Sequence, residues 1–96
     1  MADRANPATR SFPGSEIVTQ GVLDLERGEE SIEALLISIG APRLERLGIH
    51  VPRPLPAPEH RLYQRLAAED ADAAHSRYNA LVGRLVSFER AAECAS

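Results

Sequence analysis

Apolar positions near the end of the chain recur with the period of a helix. Ala74, Tyr78, Leu81, Leu85, Phe88 and Ala92 follow one another at steps of four, three, four, three and four. At 3.6 residues per turn they share one narrow arc, which Val82 and Val86 widen on one flank. The spacing predicts a long amphipathic helix over 72–94, with Asp72 as its cap, and the earlier, shorter segments are expected to pack on this spine.

Those segments follow a similar logic. Ile17, Val18, Val22 and Leu25 share a face behind Ser15, a predicted cap, with Glu16 at the positive end of the helix dipole. Gly21 weakens this helix and marks a predicted close backbone contact. Arg27 and Gly28 end it, and Ser31 is the next predicted cap, so the intervening turn is short enough to make a helical hairpin. Ile32, Leu35, Leu36 and Ile39 then continue at helical spacing. Leu35 to Ile39 followed by Gly40 also suits a strand and turn, so residues 34–39 fit both readings. Helix is the expectation, because the chain offers no second strand of similar strength.

Gly40 and Pro42 stop one helix and start a short one with Leu44 and Leu47 inward, ending at Gly48. Prolines at 52, 54, 56 and 58 make a stiff extended strap, at about 3.1 Å per residue, suited to carrying the chain along the bundle. Pro58 starts a further helix with Leu62, Tyr63 and Leu66 inward and Arg61 and Arg65 outward. The predicted class is all-α: a small helical bundle of two helical hairpins joined by a proline-rich strap, with a long C-terminal helix. Residues 1–14, aperiodic and holding two prolines, form a predicted disordered arm, and 15–96 a single helical domain.

Composition narrows the function classes. The chain of 96 residues has a net charge of −3 and one cysteine, Cys94, which excludes an internal disulfide. There is no apolar run long enough for a membrane span and no apolar leader, so a cytoplasmic location is expected. All eleven cationic side chains are arginine, consistent with a bacterial, GC-rich origin. Five acids, from Asp24 to Glu33, stand against Arg27 alone, while Arg43, Arg46, Arg53, Arg61 and Arg65 make a basic waist of candidate anion contacts.

Candidate chemistry is sparse. Asp72 and His75 have the spacing of two metal ligands on one helical face, with Glu69 nearby, but carboxylate-bridged bundles need that unit twice. Cys94, His50, His60 and His75 form no recognisable nucleophile and base set, and the glycines form no phosphate loop. Arg43 and His50 match the Arg-x4-6-His spacing of helical ribonuclease toxins, although Gly48 and the strap interrupt the helix that the pattern requires. A helix-turn-helix over 33–49 would need a reading helix longer than 42–48 provides. The prolines never give P-x-x-P. No catalytic residue, metal or cofactor is therefore assigned, and an enzyme is not expected.

Opposite the apolar stripe of the last helix, Ser76, Ala80, Gly83, Ser87, Ala91 and Cys94 form a lane of small side chains. Such a lane lets another backbone approach closely. With Arg77 and Arg84 bordering the stripe, the candidate interface is Ser76, Arg77, Ala80, Gly83, Arg84 and Ser87. The sequence thus points to helix-mediated association with another protein chain or with itself. A regulatory nucleic-acid-associated protein using the arginine waist is the alternative, which a net charge of −3 disfavours.

Overall fold

A computed structural model describes residues 12–95. Five helices follow one another: α1 (Ser15–Glu26), α2 (Ile32–Ile39), α3 (Ala41–Arg46), α4 (Pro58–Glu69) and α5 (Ala74–Ala95). Residues 1–11 of the expected arm lie outside the described residues, whereas Phe12 rests edge-on against Phe88, with ring centroids 5.9 Å apart.

The segment with two readings is a helix. Ser31 caps it, accepting a hydrogen bond from the Ala34 N–H at 3.0 Å. Ala34, Leu35, Leu36 and Ile37 are each 0% exposed. Four consecutive residues point in every direction around a helix, so cover is required on all sides. It comes from α1, α3, α4 and α5, each of which packs against α2. The short α2, not α5, is the centre of the packing.

The α1–α2 crossing depends on Gly21. A β-carbon there would lie 2.7 Å from the Glu33 carbonyl oxygen and 2.9 Å from the Ile37 side chain, so the predicted close contact is a backbone on backbone approach. Gly28 (φ 75°) then ends α1 in a Schellman turn, with Gly28 N–H donating to Leu25 O and Glu29 N–H to Asp24 O. Gly48 (φ 91°) ends α3 in the same way through Leu44 and Glu45, bringing Leu44 and Ile49 together in the core.

Three polar contacts fix the strap. The Ser38 hydroxyl donates to Ala34 O at 2.8 Å and accepts from Leu55 N–H at 3.0 Å. Glu45 accepts from Val51 N–H at 3.0 Å. Arg53, held at φ 46°, donates to the Leu25 and Glu26 carbonyls, at the C-terminal end of α1 where the helix dipole is negative. The strap therefore lies along α2 and ends α1 as well as spanning between hairpins.

On α5, Ala74, Leu85, Phe88 and Ala92 are buried and Tyr78, Leu81, Val82 and Val86 partly so. Its 22 residues, about 33 Å at 1.5 Å each, suit the 38 Å long axis of the molecule. Three local expectations are corrected. Ser15 is not a side-chain cap: Gly14 occupies that position in the left-handed region, without a side-chain cap hydrogen bond. Asp70 rather than Asp72 collects the N–H groups before α5, those of Asp72 and Ala73. Tyr63 is 39% exposed instead of inward, leaning on Tyr78 and His75.

Gly21 and Gly83 predict opposite outcomes. Gly21→Ala is expected to lower stability by about 1–3 kcal/mol through overpacking at the α1–α2 crossing. Gly83→Ala meets nothing within 4 Å and is expected to raise it by about 0.5–1 kcal/mol in dilute solution. Urea denaturation of the two variants checks both signs.

Candidate functional site

Four of the five arginines singled out as anion contacts engage the chain itself. Arg43 donates to Glu93 at 2.8 Å and lies 3.6 Å from Glu89. Arg53 holds the end of α1. Arg61 forms a two-pronged pair with the Glu30 carboxylate, and Arg65 donates to the Glu30 carbonyl at 2.8 Å. The acidic turn after α1 and the basic face of α4 thus meet each other. Arg46 differs: it is exposed and donates no hydrogen bond among the described residues.

The interface candidates divide in two. Arg77 donates to Glu69 of α4 at 2.8 Å, and Arg84 pairs with Glu16 of α1, so these two fasten α5 to its neighbours. Ser76, Ala80, Gly83 and Ser87 are exposed, and nothing in the described chain lies within 4 Å of a β-carbon built on Gly83. The small lane is the outer surface of the bundle.

Residues weighed for chemistry are dispersed. His75 contacts Asn79 at 3.3 Å, Glu69 is engaged by Arg77, His50 lies 3.2 Å from Glu45, and Cys94 is exposed. Among the described residues no group of three or more His, Cys, Asp or Glu side chains is placed to hold a metal ion. No helix among them is long and apolar enough to cross a membrane.

Two buried carboxylates escaped the sequence reading. Asp24, 5% exposed, accepts hydrogen bonds from the Ser31 hydroxyl and, at 2.9 Å, from Gln20. The Ser31 bond above all holds its carboxyl below the ordinary 3.8; burial opposes this, while Gln20 and the Arg27 charge reinforce it. Ser31 is thereby both the cap of α2 and the tie to α1. An acid seven residues before a helix cap was the only sequence signal for this.

Glu89, 4% exposed, is the second. It lies on α5 against Gly40, where a β-carbon would come within 2.7 Å of its Oε2. Burial raises its pKa above the ordinary 4.5; Arg43 opposes, Glu93 adds to the rise, and Arg46 opposes. It lines a cleft of about 280 Å³ with Ile39, Pro42, Val82, Leu85 and Val86, and with Arg43 and Arg46 beside it. The signal in the sequence was positional: Glu89 is four residues after Leu85 and seven after Val82, on the apolar flank of the stripe.

The arrangement as a whole is an all-α domain with an uncovered small-residue face and a polar-floored apolar cleft next to it. No family model matches the chain, and no curated protein or solved structure matches it.

The two carboxylates give stability opposite pH slopes. Asp24, with its folded pKa lowered, contributes stability that is fully present above about 3.8 and is lost as pH falls through the folded value. Glu89, with its folded pKa raised, holds a proton in the folded state that the unfolded chain has released above about 4.5, so its contribution declines as pH rises through that window. Asp24→Asn is expected to reduce the acid-side loss, and Glu89→Gln to remove the decline above it, in denaturation midpoints measured from pH 2 to 8.

Proposed function

We propose that the protein acts by helix-mediated association, without catalysis, through the outer face of α5 paired with a second copy of the chain. The observation that carries the reading is Gly83. In mid-helix it costs about 0.5–1 kcal/mol relative to alanine, and no atom of the described chain needs the space it leaves. An approaching helix does. Ser76, Ala80 and Ser87 extend the same low surface along the helix, so a second α5 laid across it meets small side chains on both sides of the crossing. Val82 and Val86, partly buried beside the lane, supply apolar area at its edge.

The alternative of a phosphate-binding waist is less well supported. Arg43, Arg53, Arg61 and Arg65 would have to leave partners in their own chain to reach a nucleic acid. The net charge of −3 works in the same direction.

Sedimentation equilibrium is expected to show a reversible dimer that Gly83→Glu converts to monomer, with helical content unchanged. A strict monomer up to about 1 mM, where a free energy of association of about −4 kcal/mol would still show, with no response to Gly83→Glu, overturns the proposal.

A further inference from the structure

We infer that the cleft between the α2–α3 junction and the middle of α5 is a binding site for a small aliphatic α-amino acid, with Glu89 receiving the ammonium group, Arg46 the carboxylate, and the apolar walls the side chain.

Two groups on this cleft, Glu89 and Arg46, make no hydrogen bond within the described chain. Glu89 is 96% buried by its 4% exposure, yet accepts no hydrogen bond among the described residues, its nearest cation being Arg43 Nη1 at 3.6 Å from Oε1. Buried carboxylates are normally paired or hydrogen-bonded, because desolvation is otherwise uncompensated. Arg43 gives its short contact, 2.8 Å, to Glu93 instead. Arg46, close enough to lower the Glu89 pKa electrostatically, lies on the same cleft and donates to nothing in the described chain. The cleft therefore presents a buried acceptor whose only ionic contact is the 3.6 Å one to Arg43, and an exposed donor of opposite charge that bonds to nothing in the described chain.

The walls select what joins them. Ile39, Pro42, Val82 and Val86 give an apolar surface, and the volume of about 280 Å³ lies just below the roughly 300–1,000 Å³ range of drug-sized ligand sites, which restricts the cleft to a small ligand. Gly40 makes the carboxylate possible, since any side chain there would strike Oε2. A simple amine would satisfy Glu89 but stand beside two guanidinium groups with nothing to offer Arg46. A simple carboxylate would satisfy Arg46 and face Glu89. A zwitterion with an aliphatic side chain satisfies both and covers the walls.

Gly83 is not among the residues lining the cleft, whereas Val82 and Val86 border both the cleft and the association face proposed above. Titrating the full chain with L-leucine, followed by amide NMR shifts, is expected to give saturable changes at Gly40, Val82, Val86 and Glu89. Isopentylamine and 4-methylpentanoate, each lacking one charge, are expected to bind at least ~10-fold more weakly, the loss of a single ionic contact of about 1.4 kcal/mol. Glu89→Gln and Arg46→Gln are expected to weaken leucine by a similar factor while Gly83→Glu leaves it unchanged. Circular dichroism verifies that the variants fold, and exposed Arg46 decides if Glu89→Gln does not. Absence of shifts with leucine at about 10 mM, far above the millimolar affinity that a free energy of about −4 kcal/mol would give, overturns the assignment. So does binding of isopentylamine or 4-methylpentanoate as tight as leucine, or unchanged leucine binding by Arg46→Gln.

Discussion

The fold depends on sealing α2. Its run Ala34–Leu35–Leu36–Ile37 is apolar in every direction and wholly buried, so no single neighbour can cover it. A chain of 96 residues has few elements to spare for this, and each is used. The Gly21 crossing brings α1 close enough to leave no gap, the Schellman turn at Gly48 folds Ile49 back into the core, and the strap lies where its Leu55 N–H reaches Ser38. Ser38 is the one polar residue buried on α2, and both its contacts are satisfied, which keeps the central helix from carrying an unpaired group.

Periodicity exposed most of this architecture and misplaced its centre. A 22-residue stripe gives many repeats of one signal, so α5 stood out. Eight residues with an added Ile37 gave a blurred signal for α2, because a helix buried all round has no polar face to alternate with. Both hairpin turns and the Ser31 cap were legible because each rests on neighbours within a few residues, and the Gly21 contact because a glycine inside an apolar helical stripe marks a close approach, here to Glu33 and Ile37. The cap of α5 was not. Asp70 and Asp72 are chemically identical, and only the path of the turn decides whose carboxylate faces the free N–H groups. Tyr63 failed differently, since at helical spacing it could face the core or, as it does, lean on Tyr78 with its edge in water.

Long-range charge pairing was the least legible layer. Counting along the chain separates an acidic turn at 24–33 from a basic waist at 43–65, as if the molecule had two oppositely charged ends. Folding places Glu30 against Arg61 and Arg65, and Arg53 against the carbonyls at the end of α1, so the asymmetry is largely cancelled within the chain. Surface pairs of this kind are typically worth only ~0–1 kcal/mol each. Their greater effect is on specificity: they fix which face of α4 meets the α1–α2 turn, and they leave Arg46 as a cation on the waist without such a partner among the described residues.

The same logic separates the two faces of α5. On its inner and lateral faces every feature has a partner in the chain: Phe88 has Phe12, Arg84 has Glu16, Arg77 has Glu69. Gly83 has no such partner, and Glu89, although buried, has only the 3.6 Å ion pair with Arg43. One leaves space that nothing in the described chain fills, and the other takes a charge out of water with no hydrogen bond there in return. Each is locally unfavourable, by lost helix propensity in the first case and by desolvation in the second. A fold that satisfies Ser38, Asp24 and Arg53 so completely has the means to avoid both, and the sites where local stability is given up are where binding is to be sought.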